Sequence, residues 1–387
     1  MHSRRTTRGA VYRGGPHPVK PVFPAPTRRK VLSAGIWTSL SLGCPAMARP
    51  GPLLAFPRDG GAHPDFSTEW WYVTGWANAG GQTAAYGFQL TFFRSRIPKT
   101  QGMRSGLAAR QLIFAHAAIT NIRGRKHWHD QRMARSSGRA PGSSPTDTAW
   151  ADSTHTAITL QDWSLVEQNQ VLQANLRCAD FSLALTLTPT QPVLLQGDQG
   201  LSRKGPDAAQ TSYYYSLPHM QVQGALELHG KQLVVEPGST AWLDHEWSQE
   251  MLHPDAVGWD WIGINLFDGS ALTAFQLRDR RGAALWDGGS FRTQTVLHTF
   301  QRGDVVFSPV RNWTSPLSQA TYPVEWAVRT PSGTYTVRAL LDNQELDSRA
   351  STGAIYWEGL SEVRDSQQRL VGRGYLEMTG YAAPMRM

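Results

Sequence analysis

The stretch AWLDHEWSQE (241–250) places three ionisable side chains in a row, Asp244, His245 and Glu246, between Trp242 and Trp247. A second run, GWDWIG (258–263), sets Asp260 between Trp259 and Trp261. A carboxyl held against indole rings loses hydration, so its proton affinity rises and it can stay protonated near neutrality. Such a group can donate a proton to a weak base. The competing reading is structural: the same carboxylates could pair with an arginine or accept backbone N–H bonds at a barrel rim.

Strand alternation sorts these residues. Over 241–247 it puts Trp242, Asp244 and Glu246 on one face and Leu243, His245 and Trp247 on the other. In the second run Trp259 and Trp261 share a face and Asp260 points away from them. Asp244 and His245 therefore cannot both enter one cavity unless a bulge intervenes. The chain carries 15 tryptophans, clustered as Trp70, Trp71 and Trp76, then Trp242 and Trp247, then Trp259 and Trp261. Large core residues and the wall of an apolar ligand cavity both fit that clustering.

Other machinery finds little support. There is no Gly-x-Ser-x-Gly elbow, phosphate loop or dinucleotide fingerprint. His127-Trp128-His129 aligns two imidazoles on one strand face without a third ligand nearby, and a solvated loop explains it better than a metal. No metal and no organic cofactor is expected.

The elements that must hold these residues read as strands. YGFQLTFF (86–93) alternates Tyr86, Phe88, Leu90 and Phe92 against Gly87, Gln89 and Thr91. FSLALTLTP (181–189) alternates Leu183, Leu185 and Leu187 against smaller residues. Period-two patterns of this kind mark half-buried antiparallel strands. Asp268-Gly269 sits between two such runs as a hairpin signal; LELHGKQLVV (226–235) and YLEMTGY (375–381) read similarly. No long segment keeps a helical period, so the fold is expected to be all-β. The Ser/Gly/Pro-rich stretch 132–154 reads as a surface loop, with a shorter break at 197–206. A faint echo pairs WYVTGW…YGFQLTFFR (71–94) with WDWIGI…LTAFQLR (259–278), matching Trp71 to Trp259 and Phe88 to Phe275. It fits two similar β modules divided near residue 240.

The formal net charge of +8 comes from the amino terminus. Residues 1–48 hold eight Lys or Arg and no acid, which leaves 30 basic against 30 acidic residues beyond them. A neutral remainder has no electrostatic footprint for nucleic acid. TRRKVLS (27–33), a short apolar run (31–43) and Ala46-Met47-Ala48 resemble a twin-arginine export signal cleaved after Ala48. Lipidation at Cys44 is the less favoured alternative, because Ser41 is wrong for a lipobox. The expected location is periplasmic or secreted. Cys178 would then stand alone, unable to form an internal disulfide.

FPRDGGAHPDFSTEWWYVTGW (56–76), SYYYSLPHMQVQGAL (212–226), AWLDHEW, GWDWIGINLFDG, YWEGL (356–360) and GRGYLEMTGY (372–381) resemble one family. It is the carotenoid 1,2-hydratase (hydroxyneurosporene synthase) and AttH-like family of lipocalin-like proteins, and the similarity runs from about residue 53 to the end. The resemblance implies two consecutive lipocalin-like antiparallel β-barrel or sandwich modules, placed at 53–238 and 241–387, around an apolar cavity. It also implies cofactor-free addition of water across an isoprenoid double bond: an acid protonates the alkene, a tertiary cation forms, and water captures it. Carried onto this sequence, Asp244 is the first choice for the acid and Asp260 the second, with Glu246 and His245 positioning carboxyl or water. Trp242, Trp247, Trp259, Trp261, Tyr213, Tyr215 and Trp71 are the candidate lining. The expected ligand is a hydrophobic small molecule, an isoprenoid or lipid. The alternative is a non-catalytic periplasmic lipid-binding protein working with transporter components of the ABC type or touching a membrane surface peripherally.

Overall fold

A computed structural model describes residues 54–105, 108–138, 148–250 and 252–385. The expected export signal, its cleavage point and Cys44 lie outside the described residues, as do residues 139–147 of the expected loop. Fourteen strands build the first sheet: β1 (Thr68–Ala79), β2 (Gln82–Arg96), β3 (Gln111–Asn121), β4 (Lys126–Ser136), β5 (Ala149–Ala151), β6 (Ala157–Leu160), β7 (Trp163–Gln168), β8 (Val171–Arg177), β9 (Phe181–Thr188), β10 (Leu194–Leu195), β11 (Leu201–Arg203), β12 (Thr211–Leu228), β13 (Lys231–Val234) and β14 (Glu236–Ser248). Ten more build the second: β15 (Gly258–Leu266), β16 (Ala271–Arg278), β17 (Ala284–Arg292), β18 (Leu297–Phe300), β19 (Val306–Thr314), β20 (Thr321–Thr330), β21 (Gly333–Ala339), β22 (Glu345–Ser348), β23 (Ala354–Arg364) and β24 (Leu370–Met378). The main order is β4-β3-β2-β1-β14-β12-β9-β8-β7-β6-β5 in the first sheet and β18-β17-β16-β15-β24-β23-β21-β20-β19 in the second. Among the described residues there is no α-helix, only two short 3-10 turns.

The alternation read from sequence is the alternation of burial. Phe88, Leu90 and Phe92 enter the first core with Leu183, Leu185 and Leu187, while Gln89 and Thr91 point the other way. The end strands β4 and β5 of the first sheet come into contact, giving it a barrel-like curl. Asp268-Gly269 closes the β15–β16 hairpin: Gly269 has φ +87°, and the Asp268 carboxylate accepts the Ser270 N–H at 2.8 Å. The molecule is thus all-β, two lipocalin-like antiparallel modules in succession.

Three sequence readings change in detail. Residues 132–136 of the expected loop continue β4, and 149–151 form β5. His127, Trp128 and His129 also lie on β4, half-buried rather than in a solvated loop, with a His127 Nδ1–Thr120 hydroxyl contact of 2.8 Å. The third concerns β14, which runs between β1 and β12, so AWLDHEW belongs to the first sheet and the second opens at Gly258. A division at 238–241 runs through this strand. Periodicity reveals a strand; it carries no information about which neighbours that strand joins.

A seam forms where the outward faces of the two sheets meet. Tyr72, Trp76 and Trp242 from the first sheet pack with Trp261, Phe275, Leu360 and Tyr375 from the second. Gly87 permits that approach, since a Cβ there would stand 2.9 Å from both Leu360 Cβ and the Tyr375 hydroxyl. The seam also breaks the internal echo. Trp71 and Phe88 face the first core, whereas their matches Trp259 and Phe275 face the seam. The echo is one of hairpin composition, not of equivalent positions.

Candidate active site

Antiparallel register assembles the seam row by row. Across the first sheet, Thr91, Tyr72, Asp244 and Ser216 are successive cross-strand partners on β2, β1, β14 and β12, so all four share one face. A neighbouring row holds Trp70, Glu246 and Tyr214. Across the second sheet, Phe275, Trp261, Glu377 and Glu358 form the corresponding row on β16, β15, β24 and β23.

Asp244 is buried, at 2% exposure. The Tyr214 hydroxyl donates to its Oδ2 at 2.8 Å, and the Ser216 hydroxyl and Trp242 indole N–H donate to its Oδ1 at 2.5 and 2.7 Å. The Trp261 indole in turn donates to the Tyr214 hydroxyl at 3.1 Å. Among the described residues, no cation forms an ion pair with Asp244. Burial pushes its pKa up to about 7, against the downward pull of Ser216, Tyr214 and Trp242, and nearby Glu246 adds to the rise. This is an acid that is still substantially protonated near neutrality in an apolar setting and has indoles within reach.

Glu246, on the same strand face, is differently placed. Lys204 Nζ lies 2.9 Å from its Oε1, and the same ammonium sits over the Tyr214 and Phe275 rings at 4.8 and 4.3 Å. Lys204 comes from the stretch 190–205, which straps the two modules together: Gln196 donates to Thr273 at 2.9 Å, and Arg292 donates to the Pro192 carbonyl at 2.7 Å. The neutralised Glu246 is a structural partner of that strap.

Sequence reasoning missed two further acids on the seam, Glu358 and Glu377. They are direct cross-strand partners, Glu358 buried and Glu377 half-buried, and among the described residues neither has an ion-pair partner. Burial raises the pKa of each, and the negative charge of Glu377 raises that of Glu358 further. Tyr72 faces them from the first sheet. The signal that could have found them is a carboxylate beside aromatic residues, present in YWEGL and GYLEM as in AWLDHEW.

His245 turns into the first barrel instead. Its Nε2 lies 2.9 Å from Glu69 Oε1, and Nδ1 lies 3.3 Å from the Tyr215 hydroxyl. Glu69 also receives His63 Nδ1 at 2.7 Å, the His63 backbone N–H, and Arg94 Nε at 2.6 Å. Burial opposes ionisation of Glu69, yet the bonds from His245 and His63 and the Arg94 charge hold its carboxyl well below the usual range. Burial pushes His245 down to about 4 despite Glu69, so the imidazole is neutral and donates from Nε2. Trp71 stacks on His245 and Trp247 on His63, with centroids 4.5 and 3.7 Å apart. Ligand atoms of His63, Glu69 and His245 lie within 4.8 Å of one another, a spacing a metal could use. Arg94 already neutralises Glu69, and donors fill its lone pairs, so the trio is organised as a hydrogen-bond relay.

Asp260 enters a third environment. It points with Ile262 and Ile264 into the second module, where Arg278 Nε is 2.7 Å from Oδ2, Gln276 donates to Oδ2 at 2.7 Å and the Tyr381 hydroxyl donates to Oδ1 at 2.9 Å. Burial raises its pKa and Arg278 opposes the rise. With both oxygens engaged and a guanidinium adjacent, Asp260 is a structural ion-pair partner, away from Asp244.

The expected site residues thus divide three ways. Asp244, Glu246, Trp242, Trp259 and Trp261 meet at the seam; His245, Trp247, Tyr213, Tyr215 and Trp71 serve the first barrel; Asp260 serves the second. A single hollow holding all of them is not what forms. One cleft of about 510 Å³ is lined by Leu266, Phe267, Phe291, Tyr335, Leu370 and Val371 among others, and another of about 470 Å³ by residues around Cys178. None of the expected site residues lines either.

Fold and seam together define a two-module lipocalin-like protein with a desolvated acid–aromatic interior. The AttH-like family model matches residues 47–381, and the chain belongs to that family. A crystal structure of a protein provisionally assigned as AttH, from Nitrosomonas europaea, is 44% identical over 86% of this chain and 98% of its own, with a TM-score of 0.77. Kievitone hydratase from Nectria haematococca shares the fold at 14% identity, covering 86% of this chain and 94% of its own, with a TM-score of 0.64. No curated protein sequence matches the chain.

Proposed function

We propose that the chain is a hydratase-like enzyme that adds water to an isoprenoid or other apolar alkene at the seam, with Asp244 as the proton donor. The observation that carries this reading is the Asp244 carboxyl itself: buried, without a cation, protonated near neutrality and set among Tyr72, Trp242 and Trp261. Asp244 protonates the less substituted alkene carbon, leaving a tertiary cation. Ring faces at the seam stabilise that cation, each by roughly 2 kcal/mol when desolvated. Water adds to the cation and its proton passes to a carboxylate, which restores the neutral alcohol product. The hydratase name carried by a protein of the same fold supports the class of reaction, and substrate choice is read from the site alone.

A second reading has its own support. The seam is packed, with Trp242 at 2% and Trp261 at 7% exposure, so a substrate must part the strap at 190–205 or the sheets themselves. The 510 Å³ cleft carries the 52% exposed Phe267 and suits a carrier of greasy ligands without chemistry. Incubating the protein with acyclic isoprenoid alkenes in heavy-oxygen water separates the two. Labelled alcohol formed by the wild type and not by Asp244→Asn supports the enzyme. Retained ligand with no label in either protein leaves the carrier.

Export belongs to the same proposal, with AttH-like function outside the cytoplasm and transporter components as candidate partners. Replacing Arg28 and Arg29 by lysine should strand precursor inside the cell; unimpeded secretion contradicts it.

A further inference from the structure

Each oxygen of the Asp244 carboxyl meets a hydroxyl, and each hydroxyl is held from behind by an N–H group. Tyr214 donates to Oδ2 and itself accepts the Trp261 indole N–H. Ser216 donates to Oδ1 and itself accepts an amide N–H of Gln196 at 2.9 Å. Gln196 belongs to the strap at 190–205 and is 2% exposed. Its amide nitrogen also donates to the Thr273 hydroxyl on β16 at 2.9 Å, and its carbonyl oxygen accepts the Ser290 hydroxyl on β17 at 2.8 Å. The Gln196 backbone N–H donates to the Tyr214 carbonyl at 3.1 Å. One buried side chain of the strap thus ties β12, beside the acid, to two strands of the second sheet. A carboxyl oxygen offers two lone-pair sites. The Trp242 indole, which can only donate, and the Ser216 hydroxyl fill both sites of Oδ1. The acid proton is therefore left to Oδ2.

We propose that Gln196 is a positioning residue for the Asp244 acid: it locks the Ser216 hydroxyl as a donor to Oδ1, keeps the transferable proton on Oδ2, and makes that arrangement depend on Thr273 and Ser290 of the second module. This deepens the hydratase reading and rests on it for the use of the proton. When the proton passes from Oδ2 to the alkene carbon, negative charge appears on the carboxylate, and the Ser216, Trp242 and Tyr214 donors are already aimed at it. Without Gln196 the Ser216 hydroxyl is free to turn and accept the acid proton instead, which holds that proton on Oδ1. Gln196 carries no charge. The titratable groups around Asp244 are Tyr72 on β1, Tyr214 on β12, Glu246 on β14 with Lys204 of the strap beside it, and Glu377 on β24. Replacing Gln196 by an uncharged side chain leaves every one of those charges in place, so the lock can be tested apart from them.

The test follows the Asp244 carboxyl titration by carbon NMR in the full chain, in wild type, Gln196→Met, Ser216→Ala and the double variant. Gln196→Met should raise the midpoint by roughly 0.2–0.6 pH units, the scale of a tenth to a third of a hydrogen bond to a charged group. In the Ser216→Ala background the same replacement should move it no further, because Gln196 acts through that hydroxyl. Thr273→Val/Ser290→Ala, which loosens Gln196 from the second module, should move the midpoint the same way as Gln196→Met. Equal shifts with and without Ser216, or an unmoved or lowered midpoint in Gln196→Met, overturn the inference. Neutron diffraction from the wild type needs no variant: the Ser216 deuteron is expected toward Asp244 Oδ1 and the carboxyl deuteron on Oδ2. A Ser216 deuteron pointing at Gln196, or a carboxyl deuteron on Oδ1, overturns it as well. With the same alkenes in heavy-oxygen water, Gln196→Met should lower kcat severalfold with KM little changed. A wild type that hydrates none of them sinks the hydratase reading, while the midpoints and deuteron positions still decide whether Gln196 sets the acid.

Discussion

Asp244 and His245 are consecutive in the chain and serve opposite sides of β14. The Asp244 carboxyl meets Tyr214, Ser216 and Trp242 at the seam, while the His245 imidazole meets Glu69 and Tyr215 inside the first barrel. One strand therefore sets a buried carboxyl in one interior and a buried imidazole in the other. The two interiors titrate in opposite senses, and that gives the first predictions.

Asp244 is protonated in the folded protein up to about pH 7 but only up to about 3.8 when unfolded. Between those values the folded state binds more protons, so its contribution to stability falls as pH rises through the window and stays low above it. Asp244→Asn should gain on the wild type across that range, by a difference on the order of 4 kcal/mol at most. Denaturant unfolding at a series of pH values measures this. A constant gap between the two proteins contradicts it.

His245 behaves in the reverse way. Its pKa is about 4 when folded and 6.5 when unfolded, so the stability associated with its neutral form is present above 6.5 and is lost as pH falls towards 4. His245→Gln should flatten the acid limb of the stability profile, with a difference of up to about 3 kcal/mol between the two ends. An unchanged acid limb argues against a buried neutral imidazole.

The Ser216 hydroxyl donates to Asp244 at 2.5 Å and favours its ionised form. Ser216→Ala removes that donor, so the aspartate should titrate at higher pH than in the wild type. Any activity limited by reloading the Asp244 proton should then extend to higher pH. A downward move of the alkaline limb contradicts the assigned direction of this bond.

Arg94 is fully buried against Glu69, at 2.6 Å. Breaking such a pair from one side leaves an uncompensated buried charge, and Arg94→Met should cost roughly 3–5 kcal/mol. Adding Glu69→Gln should restore much of that loss, because the stranded charge is removed. Two additive losses in chemical denaturation would show that the pair is not coupled.

Much of the fold was legible because period-two alternation directly reports which face of a strand is buried, as at Phe88, Leu90 and Phe92. The partition of Asp244 from His245 was legible for the same reason. What alternation leaves out is strand order. Nothing local to AWLDHEW indicates that β14 lies between β1 and β12, or that Arg278 from a neighbouring strand captures Asp260. Glu358 and Glu377 each look unremarkable alone; they become a pair only through the β23–β24 register. Lys204 sat in a stretch read as a loop break, and only tertiary packing brings it to Glu246.

The most direct measurement is the titration of the Asp244 carboxyl itself, followed by carbon NMR on protein labelled at aspartate carboxyls and assigned by comparison with Asp244→Asn. A midpoint near 7 is expected, from a carboxyl that burial keeps protonated against its three hydrogen-bond donors. A midpoint in the ordinary aspartate range would mean an ionised carboxylate at neutrality, and the seam would then have no acid to give.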